Sequence, residues 1–279
     1  MKRCSFEWIV CGTCHHPAYM TNRKASLCPV DFPSFVGIIR HPSAGIILFD
    51  TGYDAAFFKA TNRFPEKLYR LATPVSLGEN IVDALAARAI KPDDVTAVIL
   101  SHFHGDHVAG LHCFPNAAIY CSHAGLHHLQ GKSRFTLSRQ GMLTALVPTD
   151  IHARAKFFES APAIALPTAY APFDRATDLL GDGSLLAVEL PGHCPGHWGL
   201  ALRQENDRHL FLIGDAVWSM GAIEQLIPPP RITTAWLGNT KRYRQTLSAL
   251  NDCHRTNPDL LMLPSHCPQA AQRREGNSE

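Results

Sequence analysis

The chain lacks any apolar run long enough to span a bilayer, so nothing in it reads as a transmembrane helix. Long runs of one charge are missing as well. The 26 Lys+Arg and 24 Asp+Glu leave a formal net charge of +2. So even a balance suggests neither nucleic acid nor an anionic membrane as partner. The opening Met1-Lys2-Arg3-Cys4-Ser5-Phe6-Glu7 has an early charge but no apolar core of a signal peptide. A regular cysteine framework is absent too. The nine cysteines are odd in number and scattered, which fits reduced thiols and a cytoplasmic setting.

What remains is an ordinary globular composition, with 279 residues, 46% hydrophobic and 18% charged. The expected organisation is a single domain over 1–279. Sixteen histidines are a heavy load, and imidazole is the commonest transition-metal ligand. Cys11-Gly12-Thr13-Cys14-His15 has the spacing of a c-type haem attachment site. Attachment needs an export route for which the chain gives no sign, so these residues are read as a loop with free thiols.

The stretch that organises the chain is Ser101-His102-Phe103-His104-Gly105-Asp106-His107. It follows Thr96-Ala97-Val98-Ile99-Leu100, a run that reads as a buried strand. Imidazoles at i and i+2 of an extended segment point the same way, because side chains alternate with period two. His102 and His104 can hold one metal ion, and Asp106 and His107 a second. His123 and His127, at i and i+4, also have ligand spacing. Nothing nearby completes that site, and a solvated helix face is expected there.

Other strands are predicted at Phe35–Arg40 and Gly45–Asp50, joined by a turn at 41–44, and at Ala117–Cys121, Leu185–Leu190, His209–Ile213 and Leu260–Leu263. Asp50-Thr51-Gly52 is read as a turn beside the site, not a ligand. Helices are predicted near 79–89 and 239–253. Residues 131–171 read as a helical and loop insert whose apolar side chains could form a substrate wall.

The motif Ser101–His107 resembles the signature of the metallo-β-lactamase superfamily of hydrolases. Pro191-Gly192-His193-Cys194-Pro195-Gly196-His197, Gly214-Asp215-Ala216 and Pro264-Ser265-His266 resemble its later motifs, in the expected order and each after a predicted strand. The resemblance implies an α/β fold, a four-layer αββα sandwich of two mixed sheets flanked by helices. It implies His102, His104 and His193 on one divalent ion and Asp106, His107 and His266 on another, with Asp215 bridging. His197 is left as a supporting residue.

Two such ions, zinc by preference and iron, manganese or cobalt otherwise, could share a water and lower its pKa toward neutrality. The resulting bridging hydroxide would attack a lactone, ester or thioester, with Asp106 orienting it and handling the proton. The expected partner is a small acyl substrate, with a homodimer left open.

Within the superfamily the chain looks most like the acyl-homoserine lactone hydrolases, through residues 178–200 and its length. Those enzymes place a tyrosine three residues after the bridging aspartate, and here that position is Trp218. Trp218 and Tyr170 are the residues expected at the substrate, with Tyr170 offering a substitute hydroxyl. A glyoxalase-II-like thioesterase is the alternative. It would want cations for an anionic carrier tail, and Lys241, Arg242 and Arg244 are the candidates. A di-iron oxidoreductase of this fold would carry glutamate where His104 stands.

Overall fold

The computed structural model describes residues 2–269. The N-terminal half contributes β1 (Arg3–Pro17), β2 (Pro29–His41), β3 (Gly45–Phe49), β4 (Val75–Ser76), β5 (Val95–Ile99), β6 (Ala118–Cys121) and β7 (Ala155–Phe157). The C-terminal half contributes β8 (Ala163–Ala165), β9 (Arg175–Asp178), β10 (Leu185–Glu189), β11 (Trp198–Gln204), β12 (His209–Gly214) and β13 (Leu261–Pro264). The first half pairs in the order β7-β6-β5-β3-β2-β1, with β4 added to β1. The second pairs as β8-β9-β10-β11-β12-β13. A short parallel pairing of Arg3 and Cys4 with Arg203 and Gln204 joins the two. Both sheets are mixed. β3, β5, β6 and β7 run parallel, as do β12 and β13, and the hairpins are antiparallel.

The layering follows from residue alternation. Ile47, Phe49, Ala97 and Ile99 enter a cluster shared with Leu200, Phe211 and Leu263 of the second sheet. Their neighbours Leu48, Val98 and Leu100 point the other way, toward Phe57, Leu85 and Leu126 of the outer helices. Strands covered on both faces must be apolar throughout, and that is why Thr96–Leu100 carries no polar break after its first residue. On the far side, helices Met220–Gln225 and Thr240–Thr256 cover the second sheet through Ile223, Leu247 and Leu250. The result is the αββα sandwich.

Residues 131–171 hold helices Arg134–Arg139 and Ile151–Arg154, and then β7 and β8 at one edge of each sheet. The expectation for Cys11 and Cys14 needs correction. Both lie in β1, not in a loop, and both are buried. Burial pushes the Cys11 thiol up to about 12, which leaves it protonated and unreactive. The long β1 forms because β2 pairs with it along nearly its full length, through a register shift between Val10 and Thr13.

Candidate metal centre

The ends of β3, β5, β12 and β13 and the turn between β10 and β11 meet at one edge of the sandwich. β5 ends at Ile99, and the chain turns into the helix Gly105–Val108. That turn brings His102, His104, Asp106 and His107 together, all buried. His193 arrives from the β10–β11 turn, Asp215 from the end of β12 and His266 from the end of β13. Rigid strands thus carry side chains from across the chain to one point.

Three overlapping groups have ligand atoms within 4.8 Å of one another. The first is His102, His104, His193 and Cys194. The second is His102, His107 and Asp215. The third is Asp106, His107 and His266. His193 Nε2 lies 3.0 Å from His104 Nδ1. His266 Nε2 lies 3.1 Å from Asp106 Oδ2 and 3.2 Å from Asp215 Oδ1. His107 Nε2 lies 3.4 Å from Asp106 Oδ2 and 3.5 Å from Asp215 Oδ1. His193 Nε2 is 3.5 Å from Asp215 Oδ2. One carboxylate therefore faces imidazoles of both groups through different oxygens.

The residues present fit two cations. His102 Nε2, His107 Nε2 and Asp215 Oδ1 are buried and make no hydrogen bond. Buried polar atoms are normally paired, and orphaned lone pairs aimed at a common point are what a cation satisfies. The electrostatics split by end. Burial, aided by neighbouring imidazoles, holds His102 and His193 well below the usual imidazole value. Burial lowers His104 to about 4. These three stay neutral, as a ligand must be. At the other end burial opposes the charged form of His266, but the Asp215 and Asp106 carboxylates outweigh it and raise this ring to about 10. The same carboxylates, with Asp50, outweigh burial at His107 and raise it too.

Supporting residues fix these rings. Asp50 Oδ1 accepts the Ser101 N–H at 2.8 Å, and its Oδ2 lies 2.8 Å from both Ser101 Oγ and His107 Nδ1. That bond sets the His107 tautomer and leaves Nε2 free for a cation. Asp50 sits at φ 62, a left-handed conformation, and these hydrogen bonds hold it there. Ser101 Oγ also lies 2.9 Å from His102 Nδ1. His266 Nδ1 donates to the Pro33 carbonyl at 2.8 Å. His197 Nε2 accepts the Asp215 N–H at 3.0 Å.

Sequence reasoning missed Ser101, Pro33 and Cys194. The adjacency of Ser101 to His102 was a usable signal. Pro33 and Cys194 carried none, since a backbone carbonyl and a thiol beside a ligand are both commonplace.

The two residues expected at the substrate part company. Trp218 is at the centre, where its indole N–H donates to Asp215 Oδ2 at 2.7 Å and its ring stands 5.1 Å from that of His193. Tyr170 is a correction. It is fully buried in the inter-sheet core, and its hydroxyl donates to the Leu202 carbonyl at 2.8 Å. It packs on Phe211 and cannot reach a substrate at the site. His123 and His127 lie on an exposed helix face, their rings stacked at 6.0 Å. No described helix is long and apolar enough to cross a membrane.

Comparison with known proteins gives the same picture from outside. The N-acyl homoserine lactonase AttM of Rhizobium radiobacter is 27% identical over 195 residues, 69% of this chain and 65% of its own length. The chain thus spans just under two thirds of that relative. The N-acyl homoserine lactonase AiiB of Rhizobium rhizogenes is 27% identical over 225 residues, 78% of this chain and 74% of its own. A solved N-acyl homoserine lactone hydrolase, with N-hexanoyl-L-homoserine at its catalytic metal centre, shares the fold. Its TM-score is 0.73 at 18% identity, over 98% of this chain and 97% of that one. AidC, a dizinc quorum-quenching lactonase, aligns with a TM-score of 0.60 at 16% identity, over 96% and 89%. The model of the metallo-beta-lactamase superfamily matches residues 29–266, from before the first of these ligand motifs through the last, and the chain belongs to that superfamily.

Proposed function

We propose that this chain is a metal-dependent hydrolase that opens a lactone, or cleaves a related ester or thioester, of a small acyl substrate. One observation carries the reading: five buried imidazoles and two buried carboxylates converge with unpaired lone pairs at a single edge. The proposed ligands are His102, His104 and His193 for one divalent ion and Asp106, His107 and His266 for the other, with Asp215 between. Zinc is the metal proposed, and iron, manganese or cobalt suit the same donors. Bound there, the pair would acidify a shared water and polarise the substrate carbonyl.

The protein's own groups do the rest. The His107 and His266 rings pull the Asp106 carboxyl down against its burial, so it is ionised at neutral pH. An ionised carboxylate there can take the proton of the attacking water and return it to the leaving oxygen or sulfur. The Trp218 indole N–H pins Asp215 Oδ2, so the carboxylate keeps one orientation through the reaction. An indole offers no hydroxyl to the substrate carbonyl, and its N–H is spent on Asp215, so position 218 supplies no such donor.

The relatives named as N-acyl homoserine lactonases support lactone cleavage, and they carry no weight on acyl chain length. The experiment is a hydrolysis screen of lactones, aryl esters and thioesters on metal-quantified protein beside His104→Ala. Turnover should appear with one of these classes and vanish in the variant. Unchanged turnover in His104→Ala would overturn the dinuclear reading.

A further inference from the structure

Among the described residues, one further group of ligand-type side chains lies apart from the centre. Ligand atoms of Asp54, His112 and Cys113 all lie within 4.8 Å of one another. His112 Nε2 is 3.7 Å from Asp54 Oδ1 and 3.6 Å from Cys113 Sγ. None of the three belongs to the ligand set proposed above. Asp54 is buried, Cys113 is half-buried and His112 is exposed. The group is therefore backed by protein and open to solvent on one side.

Local structure holds each donor in place. His112 and Cys113 sit in the single 3-10 turn Leu111–Cys113. The Gly110 N–H before that turn donates to Thr51 Oγ1 at 3.1 Å, and a Cβ on Gly110 would stand 2.8 Å from the Thr51 carbonyl oxygen. The turn is thus seated on the segment that leads into Asp54. Asp54 caps the helix Ala55–Ala60, its Oδ1 accepting the Ala56 N–H at 2.7 Å, so the carboxylate does not swing freely. His112 Nδ1 lies 3.0 Å from the Ala109 carbonyl. A carbonyl can only accept, so Nδ1 carries the hydrogen and the neutral ring keeps its lone pair on Nε2. A backbone carbonyl on one ring nitrogen is what orients a histidine to ligate through the other.

The chemistry of the three donors favours a cation. The imidazole lone pair faces a carboxylate and a thiol, with only the thiol proton between them. Burial, and then the Asp54 charge, push that thiol up to about 11, so without a metal it stays protonated. A divalent ion in its place is balanced by one thiolate and one carboxylate. Sulfur, nitrogen and oxygen in one set suit zinc, cobalt or cadmium and not magnesium or calcium. Three protein donors leave a fourth position for solvent.

We propose that Asp54, His112 and Cys113 form a separate site for a borderline divalent transition metal. On binding, the Cys113 S–H bond breaks, its proton leaves to solvent and a sulfur–metal bond forms. The proposal does not depend on the hydrolase reading, because binding at the thiolate is measured directly.

The test is optical titration with cobalt(II) of protein already loaded with zinc at its main centre. Cobalt bound by a thiolate absorbs strongly in the near ultraviolet, whereas imidazole and carboxylate ligands give no such band. One further equivalent should bind and produce it. Cys113→Ser should abolish the band, and His112→Ala should weaken binding about tenfold or more. Asp54→Asn keeps an acceptor for the helix cap and should weaken it as well. Melting temperatures of Cys113→Ser and His112→Ala without added cobalt should match the wild type, which separates lost binding from lost folding. Cys194→Ser, at the thiol beside His193, should keep the band. A band that survives Cys113→Ser and is lost in Cys194→Ser places the sulfur at the main centre and overturns the proposal. So does the absence of a thiolate band at millimolar cobalt, or an affinity that His112→Ala and Asp54→Asn leave unchanged.

Discussion

Asp50 is the clearest case of one side chain working through others. Its carboxylate holds Ser101 by backbone and hydroxyl and His107 by Nδ1. Asparagine keeps one acceptor oxygen and presents an NH2 where the other stood. The expected outcome of Asp50→Asn is a roughly 10–100-fold loss of affinity for the second cation. Metal content after dialysis against a graded chelator buffer measures it, and wild-type retention would show that His107 needs no such partner.

His197 gives a residue-scale pH effect. Burial holds it at about 3, and its Nε2 accepts the Asp215 N–H, so a proton there breaks the bond. The unfolded chain takes up that proton near pH 6.5. The stability tied to neutral His197 is complete above about pH 6.5 and is lost as pH falls toward about 3. His197→Gln can still accept the N–H without titrating. Its urea midpoint should fall less than that of the wild type between pH 6.5 and 4, and parallel curves would remove His197 from the account.

At the scale of elements, the turn that delivers His193 is locked to the start of the helix Thr240–Thr256. The Gly192 carbonyl accepts the Asn239 N–H at 2.9 Å, and Thr246 Oγ1 donates to the Pro191 carbonyl at 2.6 Å. Gly192 has φ +133, and a Cβ on it would stand 2.2 Å from the Tyr243 nitrogen. Backbone cannot yield cheaply at that distance, so the helix and the turn must separate. Gly192→Ala should cost about 3 kcal/mol, or roughly 6–12 °C in melting temperature, and should loosen the His193 end. Gly221, inside the helix Met220–Gln225, meets nothing within 4 Å. Gly221→Ala should therefore stabilise, by up to about 1 kcal/mol. Calorimetric melting of the pair checks both signs. A Gly192→Ala protein that melts with the wild type would show that the contact gives way easily.

For the molecule as a whole, the centre gathers charge that folding alone does not compensate. Asp106 and Asp215 face His107 and His266, and the Nε2 atoms of His102 and His107 make no hydrogen bond. Cations that bind this arrangement and not the unfolded chain should stabilise the fold by mass action. At a thousandfold excess over Kd the gain is about 4 kcal/mol, roughly 8 °C or more. Chelation should lower the melting temperature by that order, and zinc should restore it in proportion to the logarithm of its concentration. A melting temperature indifferent to chelator would mean that the ligands do not form a cation site. Displacement of the protons on His107 and His266 should also make metal affinity rise with pH.

Much of this was legible in the residues. The strand before Ser101 is apolar at every position that must be covered, and the four proposed ligands after it are neighbours in sequence, so local geometry alone brings them together. Asp50 as a supporting turn followed from an Asp-Thr-Gly at a strand end. His193, Asp215 and His266 were found through resemblance, since no local rule joins positions so far apart. Cys11 and Cys14 were misread because a Cys and Gly cluster looks like a loop until the pairing of β2 along β1 is known.

The sequence by itself determined the strands that run into the site, β3, β5, β12 and β13, because alternation and apolar runs are local properties of the chain. It also determined which donors could serve a metal, because ligand chemistry belongs to the side chain. The tertiary structure alone decided where each side chain ends up. Tyr170 and Trp218 were equally plausible at the substrate, yet one hydroxyl is spent on the Leu202 carbonyl in the core and one indole holds the central carboxylate. The physical reason is that a polar group's role is set by the partner that packing brings within about 3 Å. For residues far apart in the chain, that partner is a property of the folded whole.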